Sequence, residues 1–399
     1  MADRYRLLVV GIACALTAFT FGAAIGAGDA PADLPPAARV GEKIFADRNL
    51  SASGDLACAT CHDPAHAHAQ SNDLPVQLGG ANRDVPGFRA VPSLRYASFT
   101  PPFRFDEEGT PIGGLNRDGR GSDLMTQAIR PLFAPHEMAN ESVVVLAARL
   151  ANAPYADEFR RVFGAQVFDD AAATLRAMLF ALAQYEKLDP DFRPFDSKYD
   201  QFLRGRLRLD AAELRGLALF NRADKGNCAA CHPSGRGRNG EPPLFTDFSY
   251  DNLGVPRNAH IPATLDAEYF DLGLCGPDRT DLADRSDLCG AFKVPTLRNV
   301  ATRHVFFHNG RFTTLRDALR FYVRRDTDPA LFYPADSNGS VQKFDDLPYA
   351  LGGNVNSVEV PYDRKPGEPP RLTEAELDDL EAFLTTLTDG YEPPLRTPE

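Results

Sequence analysis

Two short segments of this chain repeat one pattern of cysteine and histidine. Residues 58–62 read Cys-Ala-Thr-Cys-His and residues 228–232 read Cys-Ala-Ala-Cys-His. The C-x-x-C-H spacing is typical of covalent haem attachment, in which two thiols bond to the haem vinyl groups and the adjacent imidazole reaches the iron. A zinc site and a redox-active dithiol are the alternatives, but no His-x(3–5)-His set accompanies either copy. Two c-type haems are therefore predicted, bound by Cys58, Cys61, His62, Cys228, Cys231 and His232.

Two further cysteines, Cys275 and Cys289, flank a polar, aspartate-rich loop over residues 276–288. In an oxidising compartment such a pair is predicted to form a disulfide that closes the loop, which stabilises a protein by about 3 kcal/mol in the chain-entropy model. The alternative, a redox switch, has no specific support in the sequence. We expect the structural disulfide.

The seventh cysteine, Cys14, lies in an apolar run at the start of the chain. Arg4 and Arg6 precede this uncharged run, which extends from Leu7 to about Ile25 and is followed by small residues. The pattern predicts a secretory signal peptide over residues 1–27, with an uncleaved membrane anchor as the alternative. No later segment is apolar enough to span a bilayer, so we expect a periplasmic protein without a stable membrane span in its mature chain.

The composition narrows the class of protein. The 399 residues suit two domains, and 55 acidic against 43 basic residues give a net charge of -12. That charge argues against nucleic acid as a partner, since such proteins need basic patches to neutralise phosphates. The chain contains no tryptophan.

The elements around the two cysteine motifs also repeat. Residues 41–45 (Gly-Glu-Lys-Ile-Phe) precede the first motif and residues 216–220 (Gly-Leu-Ala-Leu-Phe) precede the second, so each motif is predicted to follow a short helix and a loop. Period-2 alternation is scarce, which indicates a mainly α fold with two cytochrome c-like haem domains over residues 31–190 and 191–399.

Further helices are predicted where apolar residues recur at helical spacing, and a linker where they do not. The predicted elements are helices over 142–150, 170–185 and 373–388, a linker over 189–199 and a long ordered loop over 326–370. Long ordered loops are uncommon and favour a functional surface.

With these motifs in place, the chain resembles the bacterial dihaem cytochrome c peroxidases and the wider family that includes MauG. The resemblance covers nearly the whole mature chain. It is carried by Leu50-Ser51 and the motif at 58–64, and by 118–120 (Asp-Gly-Arg), 127–138 (Gln-Ala-x-x-Pro-Leu-x-x-x-x-Glu-Met), 292–300 (Phe-Lys-Val-Pro-Thr-Leu-Arg-Asn-Val) and 306–310 (Phe-Phe-His-Asn-Gly).

The resemblance implies roles for the residues of the first haem site. In this family the first haem reacts with peroxide, with Glu137 moving the proton, Gln127 donating a hydrogen bond and Pro131 restricting access. In the peroxidase branch a loop histidine can coordinate the first haem iron in the resting enzyme, and this chain has Gly80 at that position. His66 and His68 lie nearby and are interpreted as solvent-facing loop residues. The first haem is therefore expected to be open without activation.

The resemblance also implies the ligands of the second iron. Fourteen residues after His308, where the peroxidase branch has methionine, this chain has Tyr322, as MauG-like proteins do. A methionine raises the haem potential, whereas a phenolate is expected to stabilise high-valent iron. Without the family, Tyr322 would be interpreted as a core aromatic on a helix.

Two positions depart from the family pattern. Arg117 stands where the family has a tryptophan between the haems, so the route by which the haems share oxidising equivalents must differ. Ala90 stands where the family has an asparagine that helps to bind calcium between the domains, which weighs against a calcium ion here.

The expected function is an exported enzyme that uses hydrogen peroxide to form high-valent haem iron and to oxidise a partner protein, at a tryptophan side chain. Residues 324–329, 343–348 and 384–391 resemble the MauG-type enzyme of methanobactin gene clusters. One alternative is a cytochrome c peroxidase that reduces hydrogen peroxide with electrons from a small donor cytochrome. The other is a dihaem electron carrier without catalysis.

Overall fold

The computed structural model describes residues 33–392, and the predicted signal peptide lies outside them. The fold is mainly α, as predicted, with 37% helix and 6% strand. The helices are α1 (Pro36–Ala46), α2 (Cys58–Cys61), α3 (Leu124–Phe133), α4 (Val143–Ala151), α5 (Ala156–Phe163), α6 (Ala171–Leu188), α7 (Lys198–Leu203), α8 (Ala211–Asn221), α9 (Leu315–Arg324) and α10 (Glu374–Thr385). None of the helices within residues 33–392 is long and apolar enough to cross a membrane.

The repeated glycines of the sequence mark two close helix crossings. A Cβ atom on Gly41 in α1 would lie 2.0 Å from the carbonyl oxygen of Ala181 in α6. A Cβ atom on Gly216 in α8 would lie at the same distance from the carbonyl oxygen of Asp379 in α10. Only glycine lets the two backbones of each pair approach so closely. The internal repeat is thus a repeated helix pair, with a C-x-x-C-H motif after the first helix of each pair.

Two apolar cores accompany these helix pairs. One core contains buried residues between 40 and 192, including Ile44, Phe45 and Leu182. The other contains buried residues between 199 and 387, including Phe220 and Phe383. Each C-x-x-C-H motif packs against one of these cores, and the predicted domain boundaries at 190 and 191 remain a prediction.

Side-chain caps fix where the longer helices begin. Asp210 and Thr373 accept hydrogen bonds from the backbone N–H groups of Glu213 and Glu376, and each glutamate caps in return. Helix α4 begins after Ser142, so the helix predicted from residue 142 is confirmed within one residue. The helices predicted over 170–185 and 373–388 are observed as Ala171–Leu188 and Glu374–Thr385.

The predicted linker at 189–199 is more structured than expected. It contains a 3-10 turn over Pro190–Phe192 and the start of α7, and both Phe192 and Tyr199 are buried in the cores. Sequence analysis missed these anchors because the prolines and aspartates between them obscure any helical period.

Short antiparallel strands brace the loops. They form three pairs, β1 (Leu78–Gly79) with β2 (Val85–Pro86), β3 (Arg104–Phe105) with β4 (Pro111–Ile112), and β5 (Tyr250–Asp251) with β6 (Phe292–Lys293). Cys275 and Cys289 are joined in a disulfide next to β6. The loop over 326–370 contains 3-10 turns at Pro329–Leu331 and Tyr349–Asn354 and an isolated antiparallel bridge between Ala335 and Val341.

Candidate functional site

Both C-x-x-C-H motifs open into one cavity. Its volume is about 520 Å³, and its lining is mainly apolar. The lining includes all six predicted haem-binding residues and the other predicted site residues, namely Cys58, Cys61, His62, Cys228, Cys231, His232, Glu137, Gln127, Pro131 and Tyr322. The structure therefore brings together residues that are as much as 264 positions apart in the sequence.

Each motif histidine is held by one ring nitrogen. Nδ1 of His62 lies 3.2 Å from the carbonyl oxygen of His68 and 3.1 Å from that of Pro92. Nδ1 of His232 lies 2.8 Å from the carbonyl oxygen of Phe245. When Nδ1 donates to a carbonyl, the lone pair of Nε2 is left for a metal. Burial lowers the pKa of both rings, that of His62 to about 4, so both are in the neutral form that binds iron.

The motif cysteines fit haem attachment better than a metal thiolate site. Their four sulfurs form no disulfide, and burial raises the pKa of Cys61 to about 11 and the pKa of Cys58 to about 12. No cluster of three or more His, Cys, Asp or Glu side chains among residues 33–392 could hold a metal ion. Thiols that stay protonated are poor metal ligands but can form thioethers. The residues present therefore fit two covalently bound haems.

Glu137 lies in the cavity beside the first motif. Its Oε2 atom is buried without a hydrogen-bond partner, and burial raises the pKa of its carboxyl group although Arg130 and Arg120 oppose the shift. Glu137 is also close enough to raise the pKa of Cys61. A buried carboxyl with a free oxygen can take up and return a proton.

The β1–β2 hairpin holds the backbone of Glu137 in place. A Cβ atom on Gly79 would lie 2.2 Å from the carbonyl oxygen of His136, and the Gly80 N–H donates to the carbonyl of Glu137. Gly80 has a φ of +87°, which suits glycine. The turn at Gly79 and Gly80 therefore supports the backbone of the glutamate.

Gln127 and Pro131 lie one helical turn apart on α3 and both line the cavity. The Gln127 amide donates a long hydrogen bond of 3.4 Å to Asn116. His136, to which the sequence assigned no role, also lines the cavity, with its ring against Phe88 at 4.9 Å.

The interpretation of His68 as a solvent-facing residue is wrong. Its side chain is 0% exposed, stacked on Phe192 at 3.9 Å, and its Nε2 lies 2.8 Å from Asp191. Since the His68 carbonyl accepts from His62, this packing fixes the loop that orients the first haem ligand. His66 is partly exposed and contacts Asp63. No sequence pattern distinguishes the two histidines, because both lie in a loop without periodicity.

Tyr322 lies on α9 and faces the cavity at the second motif. Its ring packs between Phe307 at 5.7 Å and Tyr362 at 6.0 Å. Burial and then the neighbouring Cys228 raise the pKa of its hydroxyl, which makes no hydrogen bond within the part of the chain that the structure describes. An unpartnered phenol at this place is available to a metal, and its phenolate would need the charge of an iron to form.

Other charged residues also line the cavity, and among them the sequence singled out only Arg117, as a departure from the family. Glu186, at the end of α6, is buried with its Oε2 unpartnered, and burial raises its pKa to about 8. Three basic residues, Arg117, Arg303 and Lys293, also line the cavity. Their spacing in the sequence carries no periodic signal, and only the folded loops bring them together.

Comparisons with known proteins agree with this geometry. A sequence profile described as "Di-haem cytochrome c peroxidase" matches residues 35–208. The methylamine utilization protein MauG of Paracoccus denitrificans is 36% identical over 374 residues, which cover 91% of each chain. The diheme peroxidase BthA of Burkholderia thailandensis is 39% identical, with a TM-score of 0.81 over 89% of this chain and 86% of that one.

A third similarity concerns the fold alone. A MauG-like protein associated with microbial copper homeostasis has a TM-score of 0.63 and 24% identity, over 94% of this chain and 96% of that one. The finer resemblance to the methanobactin-associated enzyme stays a prediction. From the length and identity of the MauG match, the chain belongs to the dihaem cytochrome c peroxidase and MauG family and is a haem-dependent, peroxidase-type oxidoreductase.

Proposed function

We propose that this protein is an exported enzyme of the MauG type, which uses hydrogen peroxide to oxidise a tryptophan side chain of a partner protein. The proposal rests on one observation. The Glu137 carboxyl at the first motif and the Tyr322 phenol at the second line the same cavity, and each has an oxygen without a hydrogen-bond partner among residues 33–392. Since the chain has no tryptophan, the oxidised residue must belong to another protein.

The chain would hold the two haems through the four motif cysteines and through His62, His232 and Tyr322. When bound, the haems would supply peroxide reduction and storage of the two oxidising equivalents of peroxide until two electrons are taken from the partner. The carbonyls of His68, Pro92 and Phe245 keep the histidine rings oriented.

Glu137 would take a proton from peroxide at its inner oxygen and return it to the departing outer oxygen. Burial raises the pKa of its carboxyl group, and a raised pKa favours both the uptake and the return of the proton. Gln127 would hydrogen bond to bound peroxide, and Pro131, between Gln127 and the loop of Glu137, would limit the room above the first haem.

Tyr322 favours the oxidase over a peroxidase that is fed by a donor cytochrome. An anionic oxygen ligand lowers a haem potential relative to methionine and stabilises oxidised iron. That property suits the storage of oxidising equivalents more than the acceptance of electrons from a donor.

Matched tyrosine variants test this proposal. We expect Tyr322→Phe to change the ferric spectrum and raise the potential of the second haem, and to abolish oxidation of exported partner proteins, measured as oxygen added at tryptophan by mass spectrometry. Tyr362→Phe is the control, since that ring is also buried in the cavity lining and lies 6.0 Å away. A Tyr322→Phe protein with the natural spectrum and potential would remove Tyr322 from the iron. Peroxide turnover that needs a donor cytochrome and leaves partner tryptophans intact would favour the peroxidase.

A further inference from the structure

Three basic side chains of the cavity have no acidic partner. Arg117, Arg303 and Lys293 all line it, and none forms an ion pair with any carboxylate among residues 33–392. The nearby acids are already used: Asp118 pairs with Arg89 and Arg120, and Asp271 pairs with Arg89. The three residues are half-buried. A cation withdrawn from bulk water without an acidic partner is destabilising, so these side chains favour an anionic ligand in the cavity.

Within residues 33–392, the hydrogen bonds of these side chains go to backbone carbonyls. Nε of Arg117 donates to the carbonyl of Ala90 at 3.0 Å, and Arg303 donates to the carbonyl of Val91 at 2.7 Å. Lys293 donates to the carbonyl of Gly114. Burial is the first cause that lowers the pKa of each group, to about 9 for Arg117, about 10 for Arg303 and about 8 for Lys293. All three side chains contribute to the lining of the cavity, so a ligand bound there can reach them.

The three cations form a row from one haem motif to the other. Arg303 is at the first motif, since it binds the carbonyl of Val91 next to Pro92, whose carbonyl orients His62. The backbone of Lys293 is at the second motif: Thr246 holds the carbonyl of Val294, and the preceding Phe245 orients His232. From there its Nζ extends to the carbonyl of Gly114.

Arg117 connects the two ends of the row. Its charge is close to the charges of Arg303 and Lys293. Arg303 lowers the pKa of Arg117, and Arg117 lowers the pKa of Lys293. The backbone carbonyl of Arg117 accepts from the N–H of Lys293 at 2.8 Å, which ties the arginine to β6.

We infer that Arg117, Arg303 and Lys293 form a carboxylate-binding site for the propionates of the two haems, with Arg303 serving the first haem, Lys293 the second and Arg117 both. Each c-type haem carries two propionate carboxylates, and a guanidinium fork suits carboxylates from two directions. At the place where the family has an aromatic ring between the haems, this chain has a shared positive charge. The proposed site requires that both haems are bound but does not depend on which substrate is oxidised. The test therefore needs no partner protein.

Redox titration of the holoprotein tests the assignment haem by haem. A cation beside a propionate stabilises the reduced haem, so its removal should lower the midpoint potential. We expect Arg303→Met to lower the potential of the first haem alone and Lys293→Met to lower the potential of the second haem alone. Arg117→Met should lower the potentials of both haems. Arg117→Lys should retain most of the natural values. Arg279→Met removes a buried arginine outside the cavity and should leave both potentials unchanged.

Two results would overturn the inference. One is an Arg117→Met protein whose potentials match those of Arg279→Met. The other is a natural protein whose potentials change with the concentration of phosphate, which would show that the site takes a free anion. If Arg117→Met fails to incorporate haem, resonance Raman spectra of the natural protein decide. The propionate bending bands of both haems should shift between H₂O and D₂O, and bands that do not shift would exclude hydrogen bonds from these side chains.

Discussion

Replacement of Glu137 by glutamine tests the proton transfer that is proposed for the first haem site. The substitution keeps the shape of the side chain and its buried position, but an amide cannot take up a proton at Oε2, the atom that lacks a partner in the cavity. General acid–base catalysis contributes about 10²–10⁴ in rate, which corresponds to roughly 3–5 kcal/mol of activation free energy. We expect the reaction of the ferric protein with stoichiometric peroxide to slow by that factor, with little change in the resting spectrum.

Stopped-flow absorbance at several pH values measures this effect. In the natural protein the rate should fall as the pH falls through the raised pKa of Glu137, because the protonated carboxyl cannot accept a proton. The glutamine variant should lose this pH dependence. Glu141→Gln is the control, since that carboxyl is exposed four residues further on. A Glu137→Gln rate within about threefold of the natural rate, where the expected loss is at least ~10², would refute the role of Glu137.

Three further predictions concern stability and are measured by denaturant or thermal unfolding of the holoprotein. Gly216→Ala should destabilise the protein by about 1–3 kcal/mol, because the new Cβ atom would meet the backbone of α10. Gly352→Ala is the control and should be nearly neutral, because the space around Gly352 is open. Equal effects of the two substitutions would contradict the close crossing of α8 and α10. Cys275→Ser should cost about 3 kcal/mol by opening the loop closed with Cys289, and leave the haem spectra unchanged. Burial raises the pKa of Glu186 to about 8, so the native chain holds an extra proton between about pH 4 and 8 and loses stability as the pH rises through this range. Glu186→Gln should therefore stabilise the protein at pH 8 by roughly 1–4 kcal/mol and have little effect at pH 4. Equal stabilisation at both pH values would show that the effect does not come from ionisation of the buried Glu186 carboxyl.

The parts of the fold that depend on local pattern could be predicted from the sequence. The C-x-x-C-H spacing, the capping residues Asp210 and Thr373 and the repeated Gly-x-x-x-Phe segments each act within one or two helical turns. The scarcity of period-2 alternation predicted the mainly α class, and local patterns predicted the helices observed as α1, α4, α6, α8 and α10 but not α3, α5, α7 or α9. The pairing of α1 with α6 and of α8 with α10 explains why the repeat contains glycine, but the sequence alone does not show which backbone each glycine meets.

The parts of the site that depend on long-range packing could not be predicted. His68 is buried because Phe192 stacks on it from 124 positions away, and no local pattern reports such a contact. Arg117 was identified only as a departure from the family. Its relation to Arg303 and Lys293 arises from loops that have no helical or strand period.

The electron paramagnetic resonance spectrum of the resting ferric protein, followed by addition of stoichiometric peroxide, tests the central proposal most directly. An open first haem and a second haem bound by His232 and Tyr322 predict one high-spin and one low-spin signal. Both signals should decrease when peroxide is added without prior reduction. Two low-spin signals, with a reaction that starts only after one haem has been reduced, would contradict the proposal and indicate a donor-dependent peroxidase.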